Sequence, residues 1–410
     1  MSTPLDPEFA RAFFPALAGD WVFFDNAGGS QILRPVLDRI NDYLVASNVQ
    51  HGASYALSEL ASERLRIATE AVAMLMNAED AAEIVMGPSS SLLLHMLADA
   101  LGRQLAPGDE IIVTNADHEA NIGPWLDVQR LGVSVKFWTV RPESRELHPE
   151  DLVSLLGPRT RLVALTHTSN ILGRIQPIRA IADLAHERGA MLCVDGVAYA
   201  PHRAIDVRAL DVDFYVFSFY KVYGPHHAVL YGKREHLLGL PSLNHYFVDQ
   251  TDIPYKLQPG GVNYELSYGM LGLVDYLRQL AAAGGCTTKS DREAVVAAFD
   301  AIGAHEQLLA RRLLEFLASK SGVCVVGPDC ADRDVRVPTV SFRVPGVSSR
   351  AIVSSVDAHK IGIRWGDFYS PRLIDDLGLR AGDGVVRVSM VHYNTLHEVD
   401  RLIGVLEPLI

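Results

Sequence analysis

From about residue 82 the chain alternates short apolar runs with longer stretches in which apolar residues return every three or four positions. The runs of strand length are EIVM, EIIVTN, VSVKFW, RLVALTH, MLCVD, FYVFS and AVLYG. Between them lie amphipathic stretches such as SSLLLHMLADALGRQL and IRAIADLAHERGA, the second closed by Gly189 as a helix-ending glycine. Near-continuous apolar strands separated by helix-period segments predict an α/β domain with a mostly parallel sheet. Residues 265–282 and the segment EAVVAAFDAIGAHEQLLARRLLEFLA read as two further helices. After about residue 290 the order changes to helix, short strands VCVVG and TVSFRV, then AIVSSVDAHKIGIR and VVRVSMVHYNTLHEVDRLIGVLEPL, which predicts a small α+β domain. Thr395 and Glu398 fit a capping box that opens the last helix. The expected division is an N-terminal segment 1–22 packing with the small domain, a large domain 23–285 and a small domain 286–410.

Composition narrows the chemistry. A chain of 410 residues, 49% hydrophobic, is long enough for a sizeable core. Its formal charge of −12 offers no basic footprint for nucleic acid or an anionic membrane, so small-molecule chemistry is the expected class. Cys193, Cys286, Cys324 and Cys330 show neither CxxC spacing nor disulfide-scaffold density. With no secretory pattern in MSTPLDPEFARAFF and no membrane-spanning apolar stretch, the expectation is a cytoplasmic protein.

In an open parallel sheet ligands bind beyond the carboxyl ends of the strands, so the polar residues that follow each apolar run are the informative ones. GPSSS follows EIVM, DHEAN follows EIIVTNA, THTSN follows RLVAL, Asp195 ends MLCVD, and Ser218 with Lys221 follows FYVF. GPSSS leads into a helix and reads either as a phosphate site or as an N-cap with polar neighbours. His118 alone reads more readily as a satisfied loop histidine than as a functional one. Asp195 at the end of a buried strand needs a cation or several donors. Lys221, between Tyr220 and Tyr223, either reaches water or supplies an amine the fold requires. Together these are the parts pyridoxal phosphate needs: a phosphate cradle, a ring to lie on the cofactor, a carboxylate for its pyridine nitrogen and an amine for its aldehyde.

VDGVAYAPH, DVRALDVDFYVFSFYKVYGP and VVRVSMVHYNT, with FFDNAGGSQ near the start, resemble the class V aminotransferase family of fold type I pyridoxal-phosphate enzymes, in its cysteine-desulfurase-like branch. The resemblance implies that Lys221 bonds the cofactor and shuttles a proton, that Asp195 pairs with the pyridine nitrogen, and that His118 stacks on the ring. It further implies that Asn170 reaches the ring oxygen or the substrate, and that Ser90, Ser91 and Ser218 hold the phosphate. Arg387 would grip the α-carboxylate of a small L-amino acid, with Arg364 a second contact. It also implies a homodimer in which KLQPGGVNY at 256–264 completes the neighbouring site.

The chain departs from that pattern. Where desulfurases of this branch carry a sulfur-accepting loop cysteine, RWGDFYSP has Tyr369. Ala198 stands in place of a glutamine, Tyr220 in place of a histidine, Gly261 in place of a threonine, and NVQHG, with Gln50 and His51, in place of NVHRG. These features, with SLNHYFV, also resemble a fungal member of the family that decarboxylates L-aspartate at Cβ and adds the remaining carbon to an aldehyde. The expectation is a lyase acting at Cα and Cβ, breaking C–C or C–S without a persulfide and possessing Tyr369, Tyr220, His51 and His245 as pocket candidates. Ordinary transamination, a conventional cysteine desulfurase that draws its cysteine from elsewhere in the chain, and a catalytically inert scaffold are the alternatives; a nucleotide-binding dehydrogenase is disfavoured because no GxGxxG follows a strand.

Overall fold

The computed structural model describes residues 4–410, so the first three residues of the N-terminal segment lie outside the described residues. All seven apolar runs are strands of one sheet: β2 (Ile84–Gly87), β3 (Glu110–Thr114), β4 (Ser134–Trp138), β5 (Thr160–Thr166), β6 (Met191–Asp195), β7 (Phe214–Ser218) and β8 (Ala228–Gly232), numbered after a short β1 (Val22–Phe23). Their order is β2-β8-β7-β6-β5-β3-β4. Only β8 runs against its neighbours. Strands β2, β6, β7 and β8 have no exposed residue, which is why they read as unbroken apolar runs rather than as an alternation.

The helices Ser90–Gly102 and Ile178–His186 fall where the periodicity puts them, and Gly189 adopts φ +72, the left-handed conformation that lets the chain turn back into β6. Two cores face each other across the sheet. One holds Ile112, Val163, Leu165, Leu192, Val194, Tyr215, Phe217 and Val229; the other holds Val85, Ile111, Val113, Leu162, Ala164, Cys193, Phe214 and Val216. Alternate residues of each strand serve opposite cores.

A second sheet, all antiparallel, runs β12 (Arg364–Gly366), β13 (Val385–Ser389), β10 (Thr339–Arg343), β9 (Cys324–Val326). The remaining strand, β11 (Ile361–Gly362), pairs in parallel with β1. The capping box at Thr395–Glu398 forms as the sequence predicts, opening helix Leu396–Leu406. The 28-residue helix Asp291–Ala318 sends Val295, Phe299 and Ile302 into the first core of the large sheet, and Leu309, Leu313 and Leu317 into the core under the small sheet. No helix among the described residues is long and apolar enough to cross a membrane.

Candidate active site

The carboxyl ends of the parallel strands converge on a cavity of about 420 Å3, counted to its open mouth, lined by Ser90, Ser91, His118, Thr166, Thr168, Asn170, Asp195, Ala198, Tyr220 and Lys221, together with Ala120 and Val197. Each strand supplies its residue at the point where the backbone leaves the sheet. β2 runs into helix Ser90–Gly102, whose N-cap Ser89 accepts from the Leu92 N–H, and Ser218 Oγ at the end of β7 lies 3.0 Å from Ser90 Oγ. Paired hydroxyls beside the unfilled N–H groups of a 13-residue helix suit a phosphate.

Lys221 sits in a tight turn after β7, only 7% exposed. Burial, and then the positive charge of Arg387, lower its ammonium to about 8, against the partial opposition of Asp195 and Asp25. The turn is anchored by Tyr223, a non-glycine residue at φ 63 whose hydroxyl donates to the Pro201 carbonyl at 2.7 Å and meets His392 Nδ1 at 3.1 Å. Asp195 is buried at the end of β6. It accepts the Val197 N–H at 2.8 Å and, among the described residues, has no cation within salt-bridge distance. Burial raises its carboxyl, with that hydrogen bond and Lys221 pulling the other way. The residue after it, Gly196, is required by packing: a Cβ there would lie 2.1 Å from the Tyr215 ring.

His118 caps the short turn Glu119–Asn121, its Nδ1 accepting the Ala120 N–H at 3.0 Å, which leaves the neutral ring's proton on Nε2. Burial, then Lys221 and Arg387, lower its pKa to about 4, so the ring is uncharged at neutral pH. Asn170 is held on both ends of its amide. Its Nδ2 donates to the Phe368 carbonyl at 2.9 Å, and its Oδ1 accepts from Ser370 Oγ at 2.9 Å. Its loop docks against β10 so closely that a Cβ on Gly173, at φ +69, would come within 2.4 Å of the Thr339 carbonyl.

Two of these contacts come from the segment 366–371, which folds over the site. Phe368 and Tyr369 both adopt left-handed φ, 52 and 59. The Tyr369 carbonyl accepts the Glu119 N–H at 2.7 Å, its ring lies 5.2 Å from that of His118, and Arg372 makes a two-point ion pair to Glu119 at 3.0 and 3.1 Å. Arg387, 2% exposed on β13, stacks its guanidinium 3.8 Å above the Phe368 ring. Its Nη1 donates to the Asn170 carbonyl at 3.3 Å, and its Nε is buried without a partner. Arg364 lies opposite Arg387 on β12 and is half exposed.

The structure thus gathers Lys221, Asp195, His118, Asn170, Ser90, Ser91, Ser218, Arg387 and Tyr369 at one place. His51 is elsewhere in this chain: it lines a separate, largely apolar cavity with Tyr255, Val262 and Tyr264, its ring edge-on to Tyr264 at 5.1 Å. His245 stacks against exposed Phe247. Two residues that sequence reasoning did not single out belong to the site. Asp25 pairs with Arg387, and Phe368 carries its guanidinium; the apolar-acidic junction FFD was the one available signal for the first.

The arrangement fits pyridoxal phosphate on its own chemistry. Asp195 is a buried carboxylate lacking a cation, Lys221 a buried amine with a lowered pKa, His118 an uncharged ring, and the Ser90–Ser218 hydroxyls meet at a helix start. The aminotransferase class-V family profile matches residues 22–402. The chain is 47% identical over 414 residues to the aminotransferase-like protein FGM3 of Gibberella zeae, covering 99% of each. To the cysteine desulfurase-like protein ustD of Aspergillus flavus it is 35% identical, covering 99% of this chain and 91% of that one. The apo structure of a cysteine desulfurase from Thermococcus onnurineus superposes with a TM-score of 0.88 at 26% identity, over 100% of this chain and 99% of that one. The chain belongs to the class-V aminotransferase family, with the fold of the cysteine desulfurases and pyridoxal phosphate as its cofactor.

Proposed function

We propose that the protein is a pyridoxal-phosphate lyase that acts on a small L-amino acid at Cα and Cβ without a persulfide, with C–C cleavage of a Cβ carboxylate and capture by an aldehyde as the favoured form. The observation that carries this reading is the segment over the site: the residue it lays against His118 is Tyr369, a phenol, and none of the four cysteines lines the cavity. Cys193 lies within β6 with its side chain in the second core, Cys324 faces Arg145 at 3.1 Å, and Cys286 and Cys330 lie off the site. A phenol oxygen cannot accept and release a sulfur atom as a thiolate does.

Pyridoxal phosphate, when bound, supplies an aldehyde and an electron-accepting ring. The chain's own residues do the rest. Ser90, Ser91 and Ser218 would hold its phosphate, Asp195 would meet its pyridine nitrogen, and neutral His118 would lie beside its ring without competing for that charge. Lys221, uncharged in a useful fraction near neutral pH, would be the amine for its aldehyde and could afterwards move a proton at Cα. Arg387 receives the substrate α-carboxylate through its free Nε–H, and Asn170, fixed at both ends, sets the edge of the pocket. Phe368, stacked on Arg387, and Tyr369, beside His118, stand at the edge of the site.

We place the enzyme in the cytoplasm as a homodimer in which the apolar cavity beside His51 and Tyr264 and the exposed Tyr246 and Phe247 meet a second copy. The reading is tested by turnover of L-cysteine and of L-aspartate with an aldehyde, without any keto acid. A lyase continues through many turnovers. A transaminase stops after one equivalent per site and resumes only when a keto acid is added, and that behaviour would overturn the lyase assignment.

A further inference from the structure

Arg387 is buried and yet has a negative partner inside the protein. Its Nη2 donates to Asp25 Oδ1 at 2.8 Å. On the same sheet Arg364 is its direct cross-strand neighbour, and Arg364 Nη1 reaches the other oxygen of the same carboxylate, Oδ2, at 3.9 Å. Like charges directly opposite on adjacent strands repel, and an anion between them removes that cost. Asp25 is that anion. It reaches the position because β1 continues alongside β13: the Phe24 carbonyl accepts the Ser389 N–H at 2.6 Å, and Asp25 bridges Ser389 in parallel, two residues from Arg387.

The two arginines are unequal. Arg387 is 2% exposed, stacked on Phe368 and left with an unpartnered buried Nε, whereas Arg364 is 52% exposed in its side chain and has solvent around it. A guanidinium as buried as Arg387 is costly without a counter-ion, so the empty site needs one. A substrate carboxylate supplies its own, and two carboxylates cannot both lie against one buried guanidinium without mutual repulsion.

We infer that Asp25 is a built-in carboxylate that occupies Arg387 while the substrate site is empty and passes to Arg364 when the substrate α-carboxylate arrives. The inference rests on the reading that Arg387 binds that carboxylate. It makes Asp25 a specificity-determining residue for the reaction. A ligand holding only a carboxylate must displace Asp25 with that single contact, while an amino acid, tied also through its amine, displaces it readily. Simple monocarboxylates are thereby kept out of the site.

The test is calorimetric binding of propionate, with propionamide as the uncharged control, to the cofactor-loaded protein and to three variants. Asp25→Asn, nearly isosteric, should bind propionate roughly tenfold tighter, as expected for removing one charge-assisted competitor, and leave propionamide unchanged. Without ligand it should melt below the wild type, and propionate should raise its melting temperature more than it raises that of the wild type. Arg364→Gln, which removes the receiving group, should weaken propionate binding several-fold. Arg387→Gln should abolish it. If Arg387→Gln binds propionate normally, the assignment of Arg387 fails and this inference with it. If Arg387→Gln loses binding while Asp25→Asn binds no tighter, or Arg364→Gln binds as the wild type does, the role of Asp25 is overturned and that of Arg387 stands.

Discussion

At the scale of single residues the site is built from groups whose charge states are set by burial. Lys221 has its pKa lowered to about 8, below the ordinary 10.5, so between those two values the folded, cofactor-free protein binds fewer protons than the unfolded chain. Stability therefore rises with pH across that window through Lys221, and Lys221→Met should flatten the rise in thermal melts of cofactor-free protein. The same amine must be neutral to bond an aldehyde, so the rate of cofactor capture should climb with pH to a plateau above about 8; a pH-independent rate would contradict the assignment. Lys221→Ala should remove both turnover and the absorption band of the bound cofactor, and an unchanged spectrum would mean another lysine serves.

Asp195 gives the opposite test. Its buried carboxylate has no cation within salt-bridge distance among the described residues, so, with the proposed pyridine-nitrogen role, Asp195→Asn should stabilise the cofactor-free protein by about 1 kcal/mol or more while weakening cofactor retention. A variant that melts lower without cofactor and retains it as tightly would remove Asp195 from the pyridine-nitrogen role.

At the scale of elements, the sheet was legible because its strands are buried on both sides and stand in the sequence as continuous apolar runs. The active-site residues were legible for a related reason: topology puts the chemistry just after each run, at Asp195, Ser218 and Asn170. Asp25 was not, because β1 is two residues long and carries no period. The stacking of Arg387 on Phe368 was hidden as well, since it depends on the left-handed backbone at Phe368 and on the β12–β13 register. Helix Arg34–Ala46 buries only Val36 and Tyr43, too thin a stripe for periodicity to reveal. Capping was readable, and Thr395→Ala should cost about 1 kcal/mol in denaturant melts, because Thr395 Oγ1 accepts the Glu398 N–H at 3.1 Å. The clasp over the site makes a separate prediction. The Arg372–Glu119 pair is over a third exposed on both sides, so Arg372→Gln should change global stability by less than about 1 kcal/mol, yet reduce turnover by loosening the segment that carries Phe368 and Tyr369. A large stability loss with normal turnover would contradict that division.

At the scale of the whole molecule the large sheet carries Lys221, Asp195 and Ser218 and the small sheet carries Arg387, joined where the Asn170 loop meets β10 and the segment after β12. Ser341 Oγ donates to the Ile171 carbonyl at 2.6 Å, so movement of one sheet against the other would be felt at Asn170. Sedimentation of the cofactor-loaded protein should give a dimer, and replacing exposed Tyr246 and Phe247 by serine should shift it toward monomer; a fully active wild-type monomer would contradict the proposed assembly. The central claim is that a phenol at the position of Tyr369, with no cysteine lining the cavity, marks a lyase that works without sulfur transfer. The most direct test is parallel measurement of sulfide and CO2 released by the cofactor-loaded enzyme from L-cysteine and from L-aspartate with an aldehyde. The account predicts CO2 from aspartate and no sustained sulfide from cysteine; sustained sulfide carried as a persulfide on one of the four cysteines would contradict it.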